Sequence, residues 1–150
     1  MITFQVENYS DALNDLIKIY PEHYAELEEG FKGGYELEPN WESYYGLEQA
    51  GMLHLITCRK EQELIGYMMF IVCAPLHVKS CLTALEDIYY LRKEHRKGRI
   101  GIKMFQFAEQ HLKSLNVNRI MCSTKVHLDN SRLLEYLGYT FMEKLYSKFI

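Results

Sequence analysis

Between Leu85 and Phe107 the chain reads L-E-D-I-Y-Y-L-R-K-E-H-R-K-G-R-I-G-I-K-M-F-Q-F. Few local architectures accommodate such a stretch. An apolar, aromatic run from Ile88 to Leu91 follows two carboxylates, Glu86 and Asp87. Next come Arg92, Lys93, Arg96, Lys97, Arg99 and Lys103 against the single acid Glu94, with Gly98 and Gly101 among them. Apolar residues then recur at Ile100, Met104, Ala108, Leu112 and Leu115, which is a helical period. The pattern predicts a strand, a basic glycine-containing turn and a helix. The first N–H groups of a helix lack intrahelical acceptors, and the helix dipole adds positive charge there. With lysines and arginines around it, such a turn is suited to a phosphate or pyrophosphate. The competing reading of the same charges is a solvated basic face.

The rest of the chain predicts what surrounds that turn. Ile2 to Val6 alternates and reads as a strand. Ser10 is placed to cap a helix with apolar positions Leu13, Leu16, Ile17 and Tyr20, and Pro21 marks either its break or the start of a short helix over 22–28. Glycines and a proline make 30–40 a loop, and Asn40 caps a helix over 41–49. Residues 52–58 and 64–73 read as a hairpin, and 82–91 as the strand feeding the basic turn. A helix over about 99–115, a strand over 118–124 and a helix over 131–137 follow, the last stopped by Gly138. Residues 139–148 read as a final strand or strand pair. Neither a repeat nor a linker interrupts the order, so one domain is expected from the 150 residues.

Charge is distributed unevenly. The net formal charge of −3 argues against nucleic acid as a partner of the whole molecule. Yet Pro21 to Ala50 holds eight glutamates (22, 26, 28, 29, 36, 38, 42 and 48) against Lys32 alone. One end of the molecule suits a cation, the other an anion. The four cysteines have no metal-like spacing and read as reduced thiols, three of them in apolar runs. No metal is expected. The lack of a signal-peptide pattern and of a long apolar run predicts a cytoplasmic protein with no membrane partner. The triphosphatase motif G-x-x-x-x-G-K-[ST] is missing.

The segment from Glu86 to Glu109 resembles the cofactor motif of the GCN5-related N-acetyltransferases (GNAT). Their pattern, Arg/Gln-x-x-Gly-x-Gly/Ala, is met here by Arg96-Lys97-Gly98-Arg99-Ile100-Gly101 at its first and last positions. Arg99 stands where glycine is usual, and Gly98 lies one residue earlier. Asn130 to Tyr139 is similar to the family's second landmark, a short helix ending in Leu-Gly-aromatic. The resemblance implies an α/β fold of acyl-CoA N-acyltransferase type: a mixed, mostly antiparallel central sheet with flanking helices. It also implies an enzyme that moves an acetyl group from acetyl-CoA to a primary amine by direct attack. By the same resemblance, the amides of Lys97, Gly98, Arg99, Ile100 and Gly101 and the side chain of Arg96 hold the pyrophosphate. An amide of Tyr89, Tyr90 or Leu91 meets the oxyanion.

Glu86 is the candidate base, as Leu-Glu-Asp resembles polyamine-acetylating members. Glu86 and Asp87 are expected on opposite faces of the strand, so that one at most meets the site directly. The family's usual tyrosine acid is replaced by Leu134, which leaves Tyr136 as the candidate acid, with Tyr139, Tyr146 and His127 as substitutes. Tyr24, Phe31, Tyr35, Trp41, Tyr44 and Tyr45 lie among the glutamates, and this mixture suits a cationic acceptor, either a small amine or a protein lysine. A homodimer is compatible with the fold. The alternative function is a catalytically weak or inactive relative that senses coenzyme A or binds a partner.

Overall fold

The computed structural model describes residues 1–28 and 30–150. Glu29, one of the clustered glutamates, lies outside the described residues. The elements are β1 (Ile2–Glu7), α1 (Tyr9–Leu27), α2 (Trp41–Gln49), β2 (Leu53–Lys60), β3 (Glu63–Cys73), β4 (Thr83–Leu91), a 3-10 turn (Lys93–His95), α3 (Ile100–Ser114), β5 (Arg119–Met121) and α4 (Ser131–Tyr136). The five strands form one sheet in sequence order. β1 to β4 pair antiparallel, and β5 joins β4 in parallel after the α3 crossover. This is the mixed, mostly antiparallel sheet expected from the sequence.

Apolar alternation divides the core between the two faces of the sheet. Leu55, Tyr67, Met69 and Tyr90 pack with Leu16, Ile19 and Tyr20 of α1, and α2 leans on the same cluster. Ile56, Met68, Phe70 and Leu91 pack with Met104, Phe105, Ala108 and Leu112 of α3 on the other face. The central strands β2 and β3 are therefore buried on both sides.

Four expectations about the elements are corrected. α1 runs unbroken from Tyr9 to Leu27 with Pro21 inside it, and its N-cap is Asn8 rather than Ser10. Proline removes the N–H that would bond the Ile17 carbonyl. Both residues face solvent, where water can take over that carbonyl, so the helix continues. β5 spans three residues, not seven. Residues 139–150 form no strand: after the Tyr139 N–H, no backbone hydrogen bond joins them to another described residue. Alternation supplies a strand's propensity, but a strand needs a partner edge, and β5 offers a very short one.

Candidate active site

β5 pairs only with Thr83, Ala84 and Leu85, so from Glu86 onward β4 has a strand partner on one side alone. A cleft of about 1000 Å³ opens along this free edge. Its walls are β4, the basic turn with the start of α3, the segment 123–133, and on the far side α1, loop 36–40 and α2.

The basic turn presents a run of free donors. The amides of residues 97 to 102 find no acceptor among the described residues, and the helical ladder opens with the Lys103 N–H on the Arg99 carbonyl at 2.9 Å. Gly98 has φ +86°, the left-handed conformation that L side chains rarely adopt, although a Cβ there would meet nothing within 4 Å. The glycine at 98 thus serves backbone rotation, not space. Gly101 serves space: a Cβ there would come 3.0 Å from the Tyr89 hydroxyl. Lys97, Arg99 and Lys103 are exposed and make no ion pair among the described residues.

Arg96 departs from its expected role. Its Nε donates to the Leu91 carbonyl at 2.6 Å and its two terminal nitrogens grip both carboxylate oxygens of Glu26, one at 2.7 Å. Its guanidinium lies 5.6 Å from the Tyr90 ring centroid. The side chain that should reach for a phosphate instead ties the end of β4 to α1. Arg92 does the same through Glu22 and Glu63.

Glu86 and Asp87 both line the cleft, against the expectation that one at most would, although they leave β4 on opposite faces as expected. Glu86 is registered with Phe70 of the α3-side cluster and meets Cys122 and Ser123, whereas Asp87 faces Tyr44 of α2. Phe70 pairs with Glu86 and Met69 with Ile88, so Asp87 is the extra residue of a β-bulge and alternation fails between Asp87 and Ile88. Glu86 Oε2 is buried with no hydrogen-bond partner among the described residues. Burial raises its carboxyl to about 7; the Cys122 thiol and Ser123 N–H favour the charged form, while the Asp87 charge opposes it. Asp87 accepts a 2.6 Å hydrogen bond from Tyr44 of α2. Tyr90, Leu91, Gly98, Gly101 and Tyr136 line the same cleft. Tyr136 is well exposed at the rim, whereas Leu134 packs under α4 against the α3 side of the core.

This arrangement combines a turn of free amides flanked by basic side chains, a carboxyl raised to about 7 and an acidic, aromatic wall inside one cleft. A family model for the acetyltransferase (GNAT) family matches residues 14–139. The chain belongs to that family. No curated protein sequence gives a significant match. Solved structures of similar fold include a ribosomal-protein-alanine N-acetyltransferase from Brucella melitensis biovar Abortus 2308, at 15% identity and TM-score 0.72, covering 100% of this chain and 99% of that one. They also include a predicted acetyltransferase with acetyl-CoA from Clostridium acetobutylicum, at 13% identity and TM-score 0.73, covering 99% and 96%. A third is a glucosamine-6-phosphate N-acetyltransferase from Arabidopsis thaliana, at 12% identity and TM-score 0.73, covering 99% and 98%. At these identities the likeness is one of fold.

Sequence reasoning missed several residues of this GNAT cleft. His23 sits in α1 without a motif to mark it. Glu26, which holds Arg96 and does not itself line the cleft, gave no signal beyond its place in a run of glutamates. Arg132, on the cleft wall in α4, adds a basic group near the turn. No helix among the described residues is long and apolar enough to cross a membrane.

Proposed function

We propose that this GNAT enzyme transfers an acetyl group from acetyl-CoA to a primary amine, in the cytoplasm. The run of free amides at residues 97–102, flanked by Lys97, Arg99 and Lys103, carries the reading. It offers convergent donors and positive charge for a pyrophosphate, and the extra-long side chain at 99 is available for a further phosphate. Acetyl-CoA, when bound there, supplies a thioester carbonyl as electrophile.

The chain's own residues do the rest. The free edge of β4 offers an amide of Tyr89, Tyr90 or Leu91 to the developing oxyanion. An acceptor that arrives as an ammonium first gives one proton to solvent; the neutral amine then attacks, and Glu86 accepts the second proton as the N–C bond forms and the C–S bond breaks. A carboxyl at about 7 is matched to that task at neutral pH. Tyr136, an exposed residue that lines the same cleft, returns a proton to the departing sulfur and is itself reprotonated from solvent. Asp87 with Tyr44, together with Glu38, gives the acceptor wall its negative charge, which draws an ammonium-bearing molecule toward Glu86. The acceptor is a small amine or a lysine side chain of a protein.

Calorimetry with acetyl-CoA tests the turn. The parent should bind saturably, and the Lys97→Ala/Arg99→Ala variant should bind about tenfold or more weakly, the loss expected when two charge-assisted contacts go. Equal binding by both, or none by the parent at sub-millimolar cofactor, would sink the reading.

A further inference from the structure

We propose that the acceptor amine carries a hydrogen-bond-accepting oxygen near its nitrogen, and that the Nε2–H of His23 reads that oxygen. The inference rests on the acetyltransferase reading and narrows its acceptor to hydroxylated or carbonyl-bearing amines, as opposed to plain alkylamines and polyamines.

His23 lines the cleft from α1, and three aromatic rings hold it in place. It stacks on Tyr90 with ring centroids 5.0 Å apart and planes at 17°. It meets Tyr67 and Tyr20 edge-on, at 5.6 and 6.3 Å. Tyr90 belongs to the same free edge of β4 as Glu86 and Asp87, and His23 lines one cleft with all three.

The hydrogen bonding fixes which ring nitrogen holds the proton. Nδ1 lies 2.5 Å from the Tyr67 hydroxyl. Tyr67 is fully buried, and its hydroxyl has no other hydrogen-bond partner among the described residues. A buried O–H left without an acceptor is costly, so this hydroxyl donates, and Nδ1 must be the acceptor. In a neutral imidazole the other nitrogen then carries the hydrogen. Burial keeps the ring neutral, holding its pKa down at about 4 despite the nearby carboxylates of Glu28 and Glu26. His23 Nε2 has no acceptor among the described residues and is not sealed in the core. It is a fixed, uncharged donor on the acceptor side of the cleft.

Such a donor discriminates. An ammonium group or a methylene chain offers it nothing, and binding one of these would strip water from the N–H without replacing it. An oxygen close to the amine satisfies it. A site built to bond a substrate oxygen rejects the analogue lacking one far more strongly than an apolar pocket rejects a missing methylene.

Two measurements test this. The first compares matched amines by thiol release: 3-aminopropan-1-ol against butylamine, and glucosamine against cyclohexylamine. The parent should favour the oxygenated member of each pair by about tenfold or more in kcat/KM, mainly through KM. The His23→Phe/Tyr67→Phe variant keeps the rings and leaves no hydroxyl stranded, and its preference should fall to within about threefold. The second measurement is the nitrogen NMR signature of His23 in the parent at pH 7, which should report a proton on Nε2. Equal or reversed preference in the parent, or no turnover of either class, overturns the inference. So does a proton on Nδ1, or a kcat loss shared equally by both members of each pair in the variant. Failure of acetyl-CoA binding is read separately, by calorimetry, and would count against the acetyltransferase reading instead.

Discussion

Glu86 places a carboxyl that titrates at about 7 next to a free strand edge, and pH dependence follows from that one residue. The base must be ionised, so kcat/KM should rise with pH through about 7 and level off above it. Glu86→Gln should remove this rise and lower kcat by about 10²–10⁴, the usual contribution of a positioned base. A pH–rate profile checks both. The same carboxyl has the opposite effect on stability. Its folded-state value lies above the unfolded one, so the stability it contributes is present at low pH and lost as pH rises through about 7. Glu86→Gln should therefore melt higher than the parent at pH 8 and no higher at pH 5. A variant with reduced kcat and unchanged melting at pH 8 would mean that the carboxyl is not buried as described. Glu86 was legible in the sequence from its place before an aromatic strand and a basic turn. That Asp87 lines the same cleft was not, because this depends on where β5 stops pairing with β4, which no local pattern marks.

Two helices meet the basic turn at the scale of elements. α3 supplies the free amides, and α1 holds the turn in place through Glu22 and Glu26. The Glu26–Arg96 pair is bidentate and half-buried, the geometry in which an ion pair holds position as well as charge. Glu26→Ala should weaken acetyl-CoA binding about tenfold or more, since it releases the guanidinium that braces the Leu91 carbonyl at the head of the turn. If Glu26 merely kept Arg96 from the phosphates, the same variant would bind more tightly, and calorimetry distinguishes the two. The motif in the sequence named Arg96 correctly as a residue of the turn but not its partner. Glu26 is seventy residues away, and only the packing of α1 on β4 brings it there.

At the scale of the whole molecule, His54 of β2 and His111 of α3 join the sheet to its covering helix through a 3.2 Å contact between ring nitrogens. Burial lowers both pKa values, and for His111 the neighbouring imidazole lowers it further. The unfolded chain therefore binds protons more readily than the folded one below about 6.5. The stability that depends on these neutral rings is complete above that pH and declines as pH falls. Urea midpoints should drop between pH 7 and pH 5, and the drop should shrink in the His54→Gln/His111→Gln variant. An equal drop in both proteins would assign the acid sensitivity elsewhere.

The sequence by itself determined the order of elements from β1 to α4 and the position of the basic, glycine-containing turn ahead of α3. Both rest on local periodicity and turn chemistry, which neighbouring residues encode directly. Only the tertiary structure decided the length of β5, the unpaired state of residues 139–150, the diversion of Arg96 to Glu26 and the placing of His23 against Tyr67 and Tyr90. Those depend on which distant groups come within hydrogen-bonding reach, and spacing along the chain does not set that distance.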